Sequence, residues 1–105
     1  MNVLALLKSR FQPAIAALVP DAARKHEILE MIRVAQDAKF GDYQANFAMP
    51  LGKQLGKSPR DVATQLVADS RLDDLCHPPE IAGAGFINLK LRDDWLAQQI
   101  AKAVQ

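Results

Sequence analysis

The segment Ile81–Leu91 constrains the fold of this chain more than any other part of the sequence. Two glycines, Gly83 and Gly85, precede a run in which apolar and polar residues alternate. Successive side chains of a strand point to opposite faces of a sheet, so the alternation predicts a strand with two different faces. The buried face would carry Ile87, Leu89 and Leu91, and the opposite face Phe86, Asn88, Lys90 and Arg92.

Four other segments have the apolar spacing of helices that bury one side. Each begins near a residue that favours a helix start, such as Asn2 or the Ser58-Pro59 pair. The predicted helices are residues 3–18, a segment capped by Asp42 that carries Phe47, Leu51 and Leu55, a segment that starts at Ser58, and a last helix capped by Asp93 or Asp94 that carries Leu96, Ile100 and Val104.

A second strand is predicted at residues 28–36, where Ile32 and Val34 alternate with Arg33 and Ala35. The part from Glu27 to Val34 also fits a helix. Residues 71–80 are rich in proline and polar side chains, which predicts a loop. The elements together predict an α+β fold, a small and mostly antiparallel sheet covered on one face by about four helices.

Composition limits the class of protein. A chain of 105 residues predicts a single domain over 1–105, and it contains no apolar stretch long enough to span a bilayer. The start of the chain lacks the pattern of a secretory signal, and its single cysteine allows no internal disulfide, so we expect a cytoplasmic protein. The net charge of +1 does not by itself indicate a nucleic-acid-binding protein.

No catalytic or metal-binding constellation stands out in the sequence. Cys76 and His77 have no partners at zinc spacing, and the acidic pairs Asp73-Asp74 and Asp93-Asp94 are typical of helix ends and solvated surface. We therefore predict no catalytic residue, metal site or bound cofactor within this chain.

The polar face of the predicted strand is the best candidate for a binding site. An aromatic ring, an amide and cations spaced by two residues match what unpaired RNA bases need, namely a stacking surface, a group that recognises the base edge, and phosphate partners. An equally good interpretation of the pattern is that Phe86 packs under a neighbouring helix.

Several motifs in order resemble one family. They are Phe-Gly-Asp-Tyr-Gln-Ala-Asn at 40–46, Gly-Lys-x-Leu-Gly-Lys-x-Pro-Arg at 52–60 and Ile-Ala-Gly-x-Gly-Phe-Ile-Asn at 81–88, after an apolar N-terminal helix. On these residues almost the whole chain resembles the N-terminal additional domain of arginyl-tRNA synthetase. In that family the domain packs beside the catalytic domain and contacts the dihydrouridine loop of tRNA-Arg.

The resemblance implies that Gly83, Phe86 and Asn88 contact RNA, and the face pattern adds Lys90 to this predicted tRNA-binding set. The resemblance also includes Tyr43, which belongs to the motif at 40–46. We expect Tyr43 to have a structural role. The motifs that bind ATP in this family are missing from the chain. ATP with magnesium would therefore be bound by the longer parent enzyme and not by this chain. The implied partners are tRNA-Arg and the catalytic domain of the same polypeptide, with no membrane. The alternative is a docking module that packs against the synthetase body or another protein without recognising RNA.

Overall fold

The computed structural model describes residues 2–103. Its strands form one four-stranded sheet in the order β1-β2-β4-β3, and every neighbouring pair is antiparallel. The elements in chain order are helices α1 (Val3–Leu18) and α2 (Ala22–Leu29), strand β1 (Ile32–Val34), a 3-10 turn (Ala38–Phe40), strand β2 (Tyr43–Ala45), helices α3 (Ala48–Leu55) and α4 (Pro59–Asp69), strands β3 (Glu80–Ala82) and β4 (Phe86–Leu89), and helix α5 (Asp93–Ala103). The predicted α+β class with an antiparallel sheet is confirmed.

Helix α1 is the predicted amphipathic helix, and it supplies one side of the core. The Asn2 side chain caps it by accepting a hydrogen bond from the Ala5 backbone N–H at 3.0 Å. Three side chains spaced by four residues, Leu7, Phe11 and Ile15, are fully buried. This spacing places them on one side of the helix, which lies against the rest of the core.

The prediction of a strand over residues 28–36 was too long at both ends. Residues 22–29 form helix α2, whose first turn is capped by Asp21 through the Ala23 N–H at 3.1 Å. Only Ile32–Val34 is a strand. Ile32 is buried, but Val34 is 65% exposed because β1 is an edge strand at the rim of the sheet. Local alternation could not distinguish an edge strand from a covered one.

The assignment of Asp42 as a helix cap was wrong. Residues 43–45 form β2, which pairs with β1 on one side and β4 on the other. The Asp42 carboxylate instead accepts a hydrogen bond from the Leu91 N–H at 2.9 Å, and helix α3 begins later, at Ala48. The inner partner of β2 is β4, which is distant in sequence, so local spacing at Asp42 indicated a helix start and could not indicate the strand.

The segment 81–91 is a hairpin instead of one strand. Strands β3 and β4 pair in the register Ile81↔Ile87, and the turn between them contains Gly83 and Gly85. Both glycines have positive φ, 54° and 114°, a backbone conformation that residues with a Cβ rarely adopt. The glycines therefore reverse the chain.

The sheet has one buried face and one open face. Residues directly opposite each other on paired strands share a face. Ile32, Ala45 and Ile87 lie in one such row and are all buried in the core. The opposite row, which we call the open face, contains Arg33, Gln44, Asn88 and Glu80, with Phe86 and Lys90 farther along β4.

The remaining elements agree with the sequence prediction in outline. Helix α4 begins at Pro59, and residues 71–79 form the predicted loop. In α5 the buried residue is Trp95, whereas Ile100 is 68% exposed; Val104, predicted on the same stripe, lies outside the described residues. Among residues 2–103, no helix has the length and apolar character to cross a bilayer.

Candidate nucleic-acid interface

Asn88 occupies the centre of the open face, on the inner strand β4. The Gln44 amide nitrogen donates to the Asn88 side-chain oxygen at 2.8 Å, and the Asn88 amide nitrogen donates to the Glu80 carboxylate at 3.2 Å. This three-strand network fixes which way the Asn88 amide points. Since the neighbouring side chains cover it, Asn88 is only 6% exposed, although it lies on the open face.

Phe86 lies two residues before Asn88 and points to the same side of the sheet. Its side chain is half-buried, so part of the ring is accessible, and it is not a core residue. A Cβ built on Gly83 would lie 3.5 Å from the ring carbon Cδ2, which places the turn backbone against the ring. The predicted residues Gly83, Phe86 and Asn88 therefore lie close together along one hairpin.

Lys90 and Arg92 follow Asn88, but only Lys90 is available for a phosphate. Lys90 is exposed, and no ion pair within residues 2–103 includes it. Arg92 instead forms a two-point ion pair with Asp94, at 3.0 and 2.9 Å, and donates to the Asp73 carbonyl. Hydrogen bonding by Asp94 raises the pKa of Arg92, and that of Asp94 is lowered by Arg92. The row of predicted binding residues along this face therefore ends at Lys90.

The tip of the hairpin is held by the helices beneath it. A Cβ on Gly85 would lie 3.0 Å from Pro59 Cβ and 3.2 Å from Ala48 Cβ, so the turn packs its backbone directly on α3 and α4. The Arg60 guanidinium donates to the Gly83 carbonyl at 2.9 Å and to the Ile81 carbonyl at 3.3 Å. These contacts set the position of the turn that borders Phe86.

We expect Arg60→Met to loosen this turn without unfolding the domain. The substitution keeps the length of the side chain but removes both hydrogen bonds, and because the site is exposed the loss should be about 1 kcal/mol. Faster amide hydrogen exchange at the tip of the hairpin, measured by NMR, is the expected result. Lys57→Met, at an exposed position, is the control. Unchanged exchange at Gly85 in Arg60→Met would contradict a role for Arg60 in holding the turn.

Several residues of this surface were not in the predicted set. Gln44 and Glu80 orient Asn88, and Arg60 holds the turn. Gln44 is 44 residues from Asn88 and Arg60 is 23 residues from Gly83, so local patterns do not reveal these contacts, whereas Glu80 is only 8 residues from Asn88 across the β3–β4 turn. Lys39 and Phe40 were also missed. Together with Asn88 they line a shallow concavity on the open face. The Phe-Gly-Asp-Tyr-Gln motif was a signal for Gln44, and the β2–β4 register explains why Gln44 lies beside Asn88.

The acidic pairs do not form an acid–base site. Asp74 receives two hydrogen bonds from the Arg10 guanidinium, at 2.8 and 3.0 Å, and these lower its pKa. Asp94 is paired with Arg92 in the same way. Both carboxylates are therefore held ionised. Within residues 2–103, no group of three or more metal-ligating side chains is arranged to hold an ion.

Cys76 is buried at 3% exposure, and burial together with the nearby carboxylates of Asp42 and Asp74 raises the pKa of its thiol to about 11. The thiolate is the reactive form, so at pH 8 only about one thiol in a thousand would be reactive. We expect the folded protein to react with iodoacetamide at least about 100-fold more slowly than an ordinary cysteine. Intact-mass analysis checks this, with the urea-unfolded chain as the control. Rapid labelling of the folded chain would mean that loop 71–79 opens readily.

Comparisons with known proteins show which sequences this chain resembles. The family model described as the arginyl tRNA synthetase N terminal domain matches residues 5–91. A protein named arginine–tRNA ligase from Rhodopirellula baltica is 47% identical over 100 residues, covering 95% of this chain and 14% of the relative. One of the same name from Synechococcus sp. is 49% identical over 98 residues, covering 92% of this chain and 16% of the relative.

A solved structure shares the fold. The crystal structure of arginyl-tRNA synthetase from Plasmodium falciparum superimposes with a TM-score of 0.75 at 20% identity, over 95% of this chain and 18% of that one. The chain therefore spans about a sixth of the length of the proteins it matches. The family match covers most of the chain, and the relatives share nearly half of its residues. This chain belongs to the arginyl-tRNA synthetase N-terminal domain family.

Proposed function

We propose that this chain is the N-terminal domain of an arginine–tRNA ligase and that its open face recognises unpaired nucleotides of tRNA-Arg. The observation that carries the proposal is the row along β4 and the residue after it, in which a partly exposed ring, an oriented amide and an exposed lysine follow one another at Phe86, Asn88 and Lys90. An RNA loop base can stack on the ring while the amide and the lysine contact its edge and its phosphate. The family resemblance assigns the dihydrouridine loop as the partner.

The network around Asn88 supports recognition over simple packing. A buried amide that already has two partners keeps one N–H and one acceptor lone pair for a ligand. Because Gln44 and Glu80 hold the amide in place, binding would not require ordering it. The low exposure of Asn88 means that contact would occur at the bottom of a shallow depression, with the base edge directed toward the sheet.

We assign catalysis to a part of the enzyme outside these 105 residues. That part would use ATP and magnesium to form arginyl-tRNA, and this domain would add affinity and orientation by holding the tRNA at a point distant from the reaction. The catalytic domain is accordingly the proposed second partner. With a net charge of +1, the domain would provide local contacts on a tRNA that is also held elsewhere.

The test is a titration of the 105-residue chain with three RNAs at low and moderate salt. They are tRNA-Arg, the same tRNA with a substituted dihydrouridine loop, and an unrelated tRNA. We expect tighter binding to unmodified tRNA-Arg and loss of that preference when the loop is changed. Equal binding to all three RNAs, or none, would contradict recognition of the loop by this domain.

A docking function is the second candidate, favoured by the exposed apolar side of α5. Ile100 is 68% exposed, and the only buried residue of this helix is Trp95. A longer chain could cover this side with its next domain. The dependence of binding affinity on salt concentration distinguishes the two functions, because phosphate contacts weaken steeply as salt rises and apolar docking changes little. The two surfaces lie on different elements, so single variants can test each one.

A further inference from the structure

A concavity of about 220 Å³ lies on the open face beside Asn88. It is lined by Lys39 and Phe40 from the 3-10 turn, by Glu80 and Asn88 from the sheet, and by Lys90, which follows β4. Phe86 is not among its lining residues, so the concavity is separate from the ring surface described above. The volume is below the range typical of drug-sized ligands and suits a group the size of one base.

The wall that carries Lys39 and Phe40 is held close to β4 by backbone contacts. The Asp42 N–H donates to the Leu89 carbonyl at 2.8 Å. Gly41 has φ of 89°, and a Cβ built there would lie 2.6 Å from the same carbonyl oxygen. Only glycine permits this approach. The backbone of this turn therefore has a fixed position beside β4, and the shape of the concavity does not depend on side chains alone.

The charges in the concavity are separated in a way that suits a nucleotide. Lys39 lies 5.1 Å from the centre of the Phe40 ring, and no ion pair among residues 2–103 involves Lys39 or Lys90. Both ammonium groups are exposed and can contact a phosphate. The Glu80 carboxylate donates nothing, but it has lone pairs beyond the one that Asn88 uses, so it can accept from a base N–H.

We propose that this concavity is a second nucleotide subsite, which takes the nucleotide next to the one stacked on Phe86. The base edge would donate an N–H to Glu80, Lys39 would contact the phosphate of this nucleotide, and Lys90 would contact the phosphate that joins the two nucleotides. Asn88 lies between the two subsites, with Phe86 and Lys90 each two residues from it, or about 7 Å along the strand. The inference rests on the proposed RNA-binding function and adds a second base contact to it.

The Glu80→Gln variant distinguishes a nucleotide subsite from a surface that attracts RNA only by its positive charge. If the lysines attract RNA only by charge, Glu80→Gln removes a negative charge and should strengthen binding. If Glu80 accepts from a base, the same change weakens binding, because hydrogen bonds to charged acceptors are stronger than those to neutral ones. We expect tRNA-Arg binding to weaken about three- to tenfold. The glutamine oxygen can still accept from Asn88, so the network should persist.

The main experiment compares two double lysine variants by fluorescence titration of the 105-residue chain with tRNA-Arg over a salt series. We expect Lys39→Ala/Lys90→Ala to bind about tenfold more weakly at 0.1 M salt, with a salt dependence that is shallower by about one to two ions. Lys53→Ala/Lys57→Ala removes the same charge from exposed positions outside the concavity and should change affinity less than about twofold. Equal losses in the two double variants would overturn the subsite.

The outcome for Phe86 distinguishes failure of the subsite from failure of the proposed function. If Phe86→Ala weakens binding and the Lys39/Lys90 variant behaves like its control, the subsite is wrong and RNA recognition stands. If the unmodified chain shows no preference for tRNA-Arg, the proposed function fails. The subsite is then tested alone by NMR titration with nucleoside 5′-monophosphates. Shifts of the Gly41 and Lys90 amides without a shift at Lys57 support it, and no shift at millimolar ligand overturns it.

Discussion

Replacing Phe86 with alanine is expected to weaken binding of tRNA-Arg by about 5- to 150-fold, since stacking of one base on an aromatic ring contributes about 1–3 kcal/mol. The ring is on the open face of the inner strand β4 and is partly exposed, so its removal takes away contact area for RNA. Because it lies outside the core, the fold should survive. Affinity measured by fluorescence titration at fixed salt gives the size of the effect.

Matched variants show whether the ring itself is responsible. Phe86→Tyr keeps an aromatic face and should bind within about threefold of the unmodified chain, whereas Phe86→Leu keeps apolar bulk without the ring and should bind nearly as weakly as Phe86→Ala. Val34→Ala, an exposed apolar position in the edge strand β1, is the control for general effects on the sheet. If Phe86→Ala and Val34→Ala bind equally well, Phe86 does not contact the RNA.

Phe47→Ala should produce the largest loss of stability, about 3–5 kcal/mol. Phe47 is fully buried just before α3, and its ring meets Phe11 of α1 edge to face, with centroids 5.4 Å apart and the planes at 72°. Removing it leaves a cavity in the core beside Phe11 of α1, and it also removes the aromatic contact. The loss is a large part of the roughly 5–15 kcal/mol that usually stabilises a domain.

Urea denaturation followed by circular dichroism measures this loss. Met49→Ala, two residues later in α3, is the control because its side chain is 47% exposed. That substitution should change the free energy of unfolding by no more than about 0.5 kcal/mol. A loss below about 1.5 kcal/mol in Phe47→Ala would mean that the core collapses around the missing ring more completely than buried phenylalanine sites usually do.

The strand β4 shows what local pattern could predict about the site. Alternation placed Ile87 and Leu89 in the core and Phe86 and Asn88 on the other face, and the structure has this arrangement. The reason is that side chains alternate along any strand, whatever its neighbours. The pattern could not predict how deeply Asn88 is covered, because the covering residues belong to β2 and β3.

The errors occurred where a distant partner decided the conformation. Asp42 followed by apolar residues at helical spacing resembled a helix start, but pairing with β1 and β4 makes residues 43–45 a strand. The glycines of segment 81–91 were expected to precede a strand, yet they form the turn of a hairpin, where Gly85 packs on Pro59 and Ala48. Both outcomes depend on contacts that close long loops.

By itself the sequence determined the class of fold, the first helix with its cap, the two faces of β4 and the family. Each of these follows from spacing within a few residues or from motifs that stand in order along the chain. Only the tertiary structure decided the β1-β2-β4-β3 order, the Gln44–Asn88–Glu80 network and the concavity that joins Lys39 to Lys90. Gln44 and Asn88 are 44 residues apart in sequence, and Lys39 and Lys90 are still farther apart, so their contacts form only when the core brings the strands into register.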